Sequence, residues 1–542
     1  MSFINTILNH FNAHPGKGFT VEVRGKDLTA TSGAELLDLI ERARGFMRNA
    51  GVKSGDRVAL LAPNGTRWLA SDLAVIAEGA ITVPLYSRQQ PRQLAAMLAD
   101  CSPSLLIASD DKLESAIRES WTEPCRIVSY QELFAFQALN EPPFELGNDD
   151  PVTIIYTSGT SGEPKGVVLT SGNVDYMLVR VVAEIAKKTG DRGTDDRVFH
   201  YLPFCFAGSR IVLWSQMFRA NPIMISTNLD NLVEEIKSAN PNFFLNVPVL
   251  LERMRAAVGQ RITATGGIGL TLYQKALAAD ARSLAGRLNI ADKFWLKLAQ
   301  SLVFSRIRRN IASNLEFLIC GSALLAEETQ RWFEMIGIPV YQVYGLTETM
   351  GIVTIDNPGA VKPGRVGCPI QGCEVRLTDE GELICRGPNL FAGYWNRPEA
   401  TAQVLRDGWF YTGDQAEIDS EGNIKILGRL RDLLVPESGH NIAPEPLETK
   451  LVEASDAIQQ AMVVGHGRPY LTAIVTGPVS DTELDSVMEK VNREVPHYQR
   501  IHKVYHAPEP FSAERDQLTA MQKLRRKAIE KYYEKEIQGM YQ

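Results

Sequence analysis

The sequence predicts an α/β protein with a large amino-terminal part of layered helices and strands plus a small β-barrel, followed by a small α+β part. Three observations lead to this prediction. In the first part, short apolar strands alternate with amphipathic helices, which is typical of a parallel sheet. Residues 364–432 contain short alternating runs separated by Gly and Asn, which indicates a small antiparallel sheet or barrel. The remaining residues mix strands with a basic terminal helix.

The first elements of the chain follow a strand–helix–strand order. Ser32–Ala50 carries apolar residues at helical spacing, and Gly51 is a stop signal for that helix. Arg57–Pro63 and Ala80–Pro84 are predicted buried strands, and Trp68–Gly79 between them is a predicted helix. This order predicts a parallel sheet with helices on its faces.

The later elements are predicted from shorter runs. The predicted strands are Val152–Tyr156, Gly166–Leu169, Glu374–Leu377, Gly381–Cys385, Asn423–Leu427, Ala461–Val464 and Leu471–Val475. A basic helix is predicted from Lys523 to Ile537. Because 542 residues exceed one ordinary domain, and the pattern changes at Arg429–Asp432, we expect a domain boundary there.

Composition restricts the class of protein and its location. The seven cysteines are scattered and none forms a Cys-x-x-Cys pair, which indicates a reducing compartment and no zinc site. The formal net charge of −7 argues against a broad nucleic-acid surface. We find neither a signal-peptide pattern nor an apolar run of the ~20 residues that span a bilayer. The expected location is therefore cytoplasmic.

A loop from Tyr156 to Gly166 has the composition of an anion site. Gly159 and Gly162 let backbone N–H groups approach an anion closely, and Lys165 adds a positive charge. Hydroxyl donors are supplied by Thr157, Ser158, Thr160 and Ser161. The loop is not a Walker A loop, since no Gly directly precedes the lysine and no Ser or Thr follows it. Alone, it is equally consistent with a surface turn.

Three further segments carry candidate ligand-binding groups. In Tyr341–Glu348, an apolar strand leads to Tyr344, Thr347 and Glu348, which suit a base, a phosphate and Mg²⁺ in turn. Asp414 suits ribose hydroxyls, and Arg429 suits ribose or phosphate. The last segment is the basic run Leu518–Lys527. Each alone has a purely structural alternative. Tyr341–Glu348 also fits a buried strand with a polar end, Asp414 also fits a turn residue that caps the next strand, and Leu518–Lys527 also fits a solvated basic helix.

Taken in order, the four segments resemble the acyl-adenylate-forming superfamily, which includes acyl-CoA synthetases, nonribosomal-peptide adenylation domains and firefly luciferase. The resemblance covers nearly the whole chain, and the combined motifs are very specific. Within the superfamily the chain looks most like long-chain fatty acyl-CoA synthetases. The segments that carry this closer likeness are Asn246–Glu252, Leu302–Arg308, Gly439–Glu448 and Gly467–Thr472.

The resemblance implies two domains and a set of residue roles. An adenylation domain would span residues 1–430 and a mobile lid domain residues 432–542, with Arg431 as the hinge. The cofactor-binding residues would be Thr157, Ser158, Gly159, Thr160, Ser161 and Gly162 for phosphates, Gly321, Ser322, Ala323, Tyr344 and Gly345 for the adenine slot, and Asp414 and Arg429 for ribose. The catalytic residues would be Lys165, Thr347, Glu348 and Lys523, with Glu348 also the metal ligand.

The implied reaction uses ATP, Mg²⁺ and coenzyme A. A fatty or other carboxylic acid would become an acyl-AMP with release of pyrophosphate, and then an acyl-CoA with release of AMP. Phe206, Gly345 and Gly351 would line the acyl pocket, although Phe206 stands where His is common in the family. The segment 254–314 looks shorter than in long-chain members, so a shorter, cyclic or unusual acid also fits.

Three alternatives remain open from the sequence. In the first, the acceptor would be another group, such as a carrier-protein thiol, an amine or an intramolecular nucleophile. In the second, the chain would be a non-catalytic acyl or nucleotide sensor, but all the expected catalytic residues are present. In the third, which is compatible with ligase activity, the basic terminal helix would make weak peripheral membrane contact, but its mixed charges favour solvation. The oligomeric state is not readable from the sequence.

Overall fold

The computed structural model describes residues 2–158, 164–190, 195–455, 457–519 and 523–542. They divide into two compact units, which are Met1–Glu374 with Arg386–Gly408 and Val375–Cys385 with Trp409–Gln542. The predicted hinge at Arg431 stays a prediction, because compactness alone does not report motion.

The helices and strands of the described residues are bounded as follows. The helices are α1 Phe3–Ala13, α2 Gly33–Asn49, α3 Thr66–Ala77, α4 Pro91–Cys101, α5 Asp111–Arg118, α6 Tyr130–Phe134, α7 Ser171–Thr189, α8 Ala207–Phe218, α9 Leu232–Ala239, α10 Pro248–Thr265, α11 Gly267–Leu284, α12 Ile290–Ala299, α13 Ser305–Ile311, α14 Glu327–Met335, α15 Pro398–Val404, α16 Pro444–Ala454, α17 Asp481–Glu494, α18 Arg526–Tyr532 and α19 Glu534–Met540. The strands are β1 Gly18–Arg24, β2 Asp27–Ser32, β3 Arg57–Leu61, β4 Ile81–Leu85, β5 Leu105–Ala108, β6 Arg126–Ser129, β7 Pro151–Ser158, β8 Pro164–Thr170, β9 Val198–His200, β10 Ile223–Ser226, β11 Phe243–Asn246, β12 Leu318–Cys320, β13 Val340–Tyr344, β14 Thr354–Ile355, β15 Cys368–Pro369, β16 Glu374–Leu377, β17 Glu382–Arg386, β18 Gly393–Tyr394, β19 Leu405–Arg406, β20 Trp409–Ile418, β21 Ile424–Arg429, β22 Gln460–Val464, β23 Leu471–Thr476 and β24 Ile501–Ala507.

The first of two large sheets in the first unit has the order β18-β8-β7-β4-β3-β5-β6. Strands β3 to β7 pair in parallel, as the strand–helix–strand pattern predicted. Strand β8 instead pairs antiparallel with β7. The physical reason is connection length: five residues separate Ser158 from Pro164, too few for the crossover that a parallel neighbour needs.

The second large sheet has the order β15-β14-β13-β12-β11-β9-β10-β1-β2. From β13 to β1 all neighbours are parallel, and antiparallel strands close both edges. The carboxyl ends of parallel strands meet at one edge of a sheet, which is where ligands bind in open α/β sheets. Both large sheets therefore offer such an edge.

Local signals explain where individual elements begin. Helix α2 starts after Ser32, whose Oγ accepts from the Glu35 N–H at 3.3 Å while Glu35 Oε2 accepts from the Ser32 N–H at 2.8 Å. This reciprocal capping box satisfies two N–H groups that a helix terminus would otherwise leave without a partner. The predicted helices at 32–50 and 68–79 are accordingly present as α2 and α3.

The second unit contains two small sheets. Strands β17, β20 and β21 pair antiparallel, which agrees with the predicted antiparallel sheet. The predicted strands at 461–464 and 471–475 are present as β22 and β23, which pair antiparallel, and β24 runs parallel to β23. No helix of the described residues is long and apolar enough to cross a membrane.

The predicted helix from Lys523 to Ile537 is wrong at its start. Helix α18 begins at Arg526, and α19 continues to Met540. Lys523 lies before them in extended chain, where its carbonyl accepts from the Thr519 N–H at 2.8 Å and Leu524 forms an antiparallel bridge with Leu518. This pairing uses the backbone groups that a helical turn at Lys523 would need.

Candidate functional site

The described ends of the predicted phosphate loop lie on the paired strands β7 and β8. Thr157 pairs with Lys165, and the Thr157 hydroxyl donates to the Lys165 carbonyl at 3.4 Å. The strands therefore extend further into the loop than the sequence suggested. Gly159, Thr160, Ser161 and Gly162 lie outside the described residues, as does the side chain of Ser158.

Lys165 and Glu348 lie on either side of Tyr394. The Tyr394 hydroxyl donates to Glu348 Oε1 at 2.8 Å, and Lys165 Nζ lies 5.0 Å from the centroid of the Tyr394 ring. Tyr394 is held there because β18 pairs with β8, and the Trp395 N–H donates to the Gly166 carbonyl at 2.7 Å. The structure thus brings the two predicted phosphate and metal residues to one place.

Backbone contacts fix the short turn that carries Glu348. Residues Thr347–Thr349 form a single 3₁₀ turn that begins three residues after the end of β13 at Tyr344. The Glu348 carbonyl accepts from the Phe391 N–H at 2.9 Å, and the Thr349 carbonyl accepts from Asn389 Nδ2 at 3.2 Å. Tyr394 and Asn389 follow each other closely in sequence, so one stretch of chain holds both the carboxylate and its turn. Tyr394 was missed by sequence reasoning, and its only local signal is an aromatic pair after Gly393.

The predicted adenine-slot residues lie at the ends of two paired strands. Strands β12 and β13 run parallel, so Gly321–Ala323 follow β12 beside the end of β13 at Tyr344. A Cβ on Gly321 would lie 2.6 Å from Val343 Cγ2, so only glycine permits this close approach. Ser322 has a φ of +73°, and both Ser322 and Ala323 are exposed. The predicted adenine-slot residues are therefore neighbours in the structure, and Ser322 and Ala323 are accessible from solvent.

The three predicted acyl-pocket residues also come together. A Cβ on Gly345 would lie 2.4 Å from the Gly351 carbonyl oxygen, and Gly351, at φ +93°, would place one 3.1 Å from Gly208 Cα. Phe206 is the residue before α8, and Gly208 is the second residue of that helix. The backbone after β13 therefore packs directly on the helix that follows Phe206, and side chains at these glycines would separate them.

A cleft lined by residues of both large sheets lies beside Cys205. It follows the carboxyl ends of β3, β4, β9 and β10, where Asn64, Tyr86, Tyr201 and Thr227 line it. The Tyr86 and Phe206 ring centroids lie 5.9 Å apart. Asn64 connects the segment after β3 with the segment after β9, because its side chain donates to the Leu202 carbonyl at 2.8 Å and accepts from the Phe204 N–H at 2.9 Å. Sequence reasoning missed Asn64, which follows the predicted strand Arg57–Pro63, and Tyr86, which follows the predicted strand Ala80–Pro84.

A buried ion pair supports the helix that follows Phe206. Arg210 and Asp72 are both fully buried; Arg210 Nε donates to Asp72 Oδ2 at 3.2 Å, and a second, shorter contact joins the same two groups. Trp214 Nε1 donates to Asp72 Oδ2 at 3.0 Å, and Arg210 also contacts the Thr153 hydroxyl on β7. Burial raises the pKa of Asp72 and lowers the pKa of Arg210, and each charge offsets this effect on the other. One network therefore links α3, α8 and the strand that leads to the phosphate loop.

In the second unit, Asp414 and Arg429 form a direct pair. Asp414 on β20 lies opposite Arg429 on β21, and Arg429 Nε lies 2.8 Å from Asp414 Oδ1. Asp414 is 4% exposed, and Arg429 also donates to the Thr412 carbonyl at 3.2 Å. The two predicted ribose residues are therefore together, and the guanidinium orients the carboxylate.

Lys523 shares the electrostatic surroundings of this pair. Desolvation by the neighbouring protein atoms, followed by the positive charge of Arg429, lowers the pKa of Lys523, while Asp414 acts in the opposite direction. Arg431 also lowers it, and the Arg431 side chain is half exposed. The residue as a whole remains exposed to solvent. The predicted catalytic lysine, ribose pair and hinge residue thus lie in one region of the second unit.

Among the described residues, Glu348 is the carboxylate on which metal chemistry at this site would rest. Within the described ranges, no group of three or more His, Cys, Asp or Glu side chains is arranged to hold a metal. One carboxylate oxygen of Glu348 accepts a hydrogen bond from the Tyr394 hydroxyl. This donor set fits Mg²⁺, which proteins commonly bind through one or two carboxylates together with substrate phosphates and water.

Comparison with family models covers both parts of the chain. A model described as AMP-binding enzyme matches residues 9–395, and one described as AMP-binding enzyme C-terminal domain matches residues 431–542.

Curated relatives include two kinds of ligase. The chain is 28% identical to the long-chain-fatty-acid–CoA ligase FadD15 of Mycobacterium bovis, over 94% of this chain and 92% of that protein. It is 32% identical to a feruloyl-CoA synthase of Amycolatopsis sp, over 78% of each. It is 25% identical to long chain acyl-CoA synthetase 3 of Arabidopsis thaliana, over 94% of this chain and 86% of that protein.

Solved structures share the fold. The o-succinylbenzoate coenzyme A synthetase of Bacillus subtilis in complex with AMP superposes with a TM-score of 0.75 at 20% identity, over 96% of this chain and 97% of that one. The ATP-bound MatB of Rhodopseudomonas palustris gives a TM-score of 0.76 at 22% identity, over 98% and 99%. The predicted α/β fold class is confirmed by these similarities.

Proposed function

The chain belongs to the family of AMP-binding enzymes, and from that premise we propose that it is an ATP-dependent acid–thiol ligase that joins a fatty acid to coenzyme A. The predicted resemblance to the acyl-adenylate-forming superfamily is confirmed by the family matches and by the acyl-CoA ligases among its relatives. The reaction would pass through an acyl-AMP, release pyrophosphate first and release AMP with the thioester.

The observation that carries this proposal is the arrangement of Lys165, Tyr394 and Glu348. A cation at the phosphate hairpin and a carboxylate after β13 share one tyrosine, through a ring contact of 5.0 Å and a hydrogen bond of 2.8 Å. A nucleotide triphosphate needs both charges: the lysine offsets its phosphate oxygens, and the carboxylate binds their cation. Bound there through Glu348 and the phosphates, Mg²⁺ would supply charge compensation for the transferred phosphoryl group.

The first step forms a bond between the acid's carboxylate oxygen and the α-phosphorus of ATP, and it breaks the bond to the pyrophosphate oxygen. Both reactants are anions, so catalysis depends on positioning and charge stabilisation and requires no protein nucleophile. We assign Lys165 to the leaving pyrophosphate, Thr347 to the α-phosphate, Asp414 and Arg429 to the ribose, and Lys523 to the developing charge. The Arg429 contact holds the Asp414 carboxylate in place for this role.

In the second step the thiol of coenzyme A gives up its proton to solvent and its sulfur attacks the acyl carbon, and AMP departs with the electron pair of the broken acyl–oxygen bond. The acyl-AMP is a mixed anhydride that water would also hydrolyse, so the site must exclude water. We assign Arg431 as the hinge between the two steps, because hinge residues absorb backbone dihedral change and Arg431 lies in a short 3₁₀ turn after β21.

Two observations support an apolar acid as the substrate. The predicted pocket residues Phe206, Gly345 and Gly351 come together, and Phe206 lies against Tyr86. An apolar chain would gain ~0.8 kcal/mol for each methylene that it buries in such a pocket. A fatty acid is the first candidate. The aromatic Tyr86–Phe206 pair and the feruloyl-CoA synthase relative favour an aromatic acid as the second.

We further propose that the enzyme acts in the cytoplasm. The seven cysteines all lie within the described residues and form no disulfide with one another, and five of them are buried, which suits a reducing compartment. The acid, ATP and coenzyme A are its expected partners, and neither a nucleic acid nor a carrier protein is required.

The test is a panel of acids scored by AMP release with and without coenzyme A. The panel would contain fatty acids of graded chain length, ferulate and benzoate. Coenzyme A-dependent AMP release that varies with fatty-acid chain length supports the proposal. Preference for ferulate would change the assigned substrate to an aromatic acid and leave the assigned reaction unchanged. AMP release that needs no coenzyme A would instead favour another acceptor. No pyrophosphate exchange with any acid would contradict the ligase assignment.

A further inference from the structure

Residues 248–311 of the first unit differ sharply in charge from the rest of the chain. They contain eleven Lys and Arg and only three Asp and Glu, a formal charge of +8 in a chain whose total is −7. The segment comprises α10, α11, α12, a π-helical turn and α13. A basic segment in an acidic protein is a local electrostatic feature that needs a local explanation.

The same segment exposes large apolar side chains. Ile290 is 87% exposed and Phe294 is 59% exposed, and these two residues lie one turn apart on α12. Further exposed apolar residues in the segment are Val249, Ile268, Leu277, Leu284 and Leu302. Single exposed apolar residues are ordinary, but a group of them on adjacent helices marks an interaction surface.

Apolar and basic residues occupy one face of α12. Ile290, Lys293, Phe294 and Lys297 recur at spacings of three and four residues, so they share a face, and all four are exposed. We call this set the α12 face. Asp292 and Ala299, on the opposite side of the helix, are buried.

Contacts with α11 fix α12 in this orientation. Arg282 binds Asp292 through two hydrogen bonds, at 2.9 Å from Nε and 2.5 Å from the terminal nitrogen. Lys275 lies 4.0 Å from the centroid of the Trp295 ring, and Tyr273 accepts from Trp332 Nε1 at 2.7 Å, which holds α11 against α14. The side of α12 opposite the α12 face therefore packs on protein, and the α12 face is exposed to solvent.

From this combination we infer that the α12 face docks on an anionic lipid surface. A basic amphipathic helix with exposed Ile and Phe is the pattern of helices that lie in the membrane interface. The charge complementarity selects the partner, because the α12 face carries Lys293 and Lys297 without an acidic residue, in a segment whose formal charge is +8, and the apolar residues of the face suit acyl chains rather than nucleic acid. This surface belongs to the first unit and not to the basic C-terminal helix of the second unit, and the inference does not depend on which acid the enzyme activates.

The experiment is co-sedimentation of the full-length protein with vesicles of phosphatidylcholine alone or with about one third phosphatidylglycerol. Two variants remove the two parts of the surface: I290D/F294D and K293Q/K297Q. Matched controls change exposed residues elsewhere: V179D/V233D for the apolar pair and K490Q/K503Q for the charges. Circular dichroism checks the fold of each variant.

We expect binding to the anionic vesicles only, and loss of that binding in about 1 M salt, where the Debye length is ~3 Å. Each basic residue near such a surface contributes about a fivefold factor, so K293Q/K297Q should weaken binding on the order of 25-fold. I290D/F294D should weaken it at least as much, and the controls should bind as the parent protein does. Should I290D/F294D fail to fold, K293Q/K297Q decides the question, since its changes lie on exposed side chains.

Three results would overturn the inference. The first is no sedimentation of the parent protein with anionic vesicles, or equal loss in the controls. The second is a dimer in size-exclusion chromatography that I290D/F294D converts to a monomer, without vesicle binding. The third is binding to a duplex DNA fragment without binding to vesicles, which would assign the basic segment to nucleic acid.

Discussion

The hydroxyl of Tyr394 lies 2.8 Å from Oε1 of Glu348 and donates to it. Tyr394 is at the same time the ring over which Lys165 lies. A neutral donor beside a carboxylate fixes its orientation without removing its charge, so the second oxygen stays available for a cation. This tyrosine therefore acts on both charged groups that we assign to the triphosphate and its metal.

Tyr394→Phe tests this relationship. A hydrogen bond to a charged group is worth about 1.5–3 kcal/mol, so we expect the KM for Mg·ATP to rise about tenfold or more. The KM for the acid should stay within about twofold, because the change leaves the acyl pocket intact. Pyrophosphate exchange at varied Mg·ATP and acid concentrations measures both constants.

Tyr176→Phe is the matched control for that change. The Tyr176 hydroxyl donates to the Gln371 carbonyl at 2.6 Å in the same unit, so this variant also loses one tyrosine hydrogen bond. Its KM for Mg·ATP should match the parent protein. Equal KM changes in both tyrosine variants would refute a specific role for Tyr394.

Lys523→Ala should abolish adenylate formation and spare the thioester step. Lys523 lies near Arg429 and Asp414, the pair assigned to the ribose, so its charge is placed for the α-phosphate of the same nucleotide. We expect pyrophosphate exchange to fall at least 100-fold, as for the loss of a transition-state charge contact. Thioester formation from supplied acyl-AMP should continue. Lys527→Ala, on an exposed lysine of α18, should leave both half-reactions intact, and normal exchange in Lys523→Ala would rule out its catalytic role.

Arg431→Pro should separate the two half-reactions in the opposite direction. Proline fixes φ near −65°, so a residue that must change its backbone dihedrals between steps loses that freedom. We expect adenylate formation to continue and thioester formation to fall at least tenfold. Arg431→Ala keeps the backbone free and removes the side chain, so it should support both steps. A similar loss of both half-reactions in the proline variant would contradict the hinge assignment.

Local patterns predicted most strands, because apolar runs and turn residues lie within a few positions of each other. They could not predict contacts that depend on distant pairing. Tyr394 and Glu348 are 46 positions apart, and Asp72 and Arg210 are 138 apart. These pairs exist only once β18 joins β8 and once α3 packs near α8. The start of the terminal helix was also missed, since charge and apolar spacing near Lys523 fit a helix equally well.

His200 predicts a pH dependence of stability. Its ring is fully buried, stacks on Phe204 at a centroid distance of 5.2 Å, and has its pKa lowered to about 4 by burial. The unfolded chain would bind this proton near pH 6.5, so between pH 6.5 and 4 the unfolded state binds more protons than the native state. Stability from this group is therefore complete above pH 6.5 and is lost as the pH falls towards 4.

His200→Phe should remove that loss, because phenylalanine keeps the stacking and does not titrate. Relative to the parent protein, the variant should gain stability as the pH falls from 7 to 4, by up to about 3 kcal/mol. Urea unfolding at several pH values measures the difference. His497→Phe, in the second unit on a short 3₁₀ turn, is the control and should show no such gain. A constant difference between His200→Phe and the parent across this pH range would contradict the prediction.

The Asp72–Arg210 pair predicts non-additive effects of substitution. Arg210→Met alone leaves the buried Asp72 carboxylate without its cation, which costs about 3–5 kcal/mol. Asp72→Leu with Arg210→Met replaces both charges by apolar groups, so the double variant should lose less stability than Arg210→Met alone, by about 2 kcal/mol or more. Thermal unfolding of the three variants with Asp72→Leu completes the cycle.

The same cycle separates positioning from stability. Arg210 lies one turn after Phe206, whose carbonyl accepts from the Arg210 N–H at 2.9 Å, and it also reaches Thr153 on β7. If the pair positions Phe206, the folded double variant should show a raised KM for the acid at an unchanged KM for Mg·ATP. Parallel changes in both constants would assign the pair to stability alone, because a general loosening of the unit acts on both substrates.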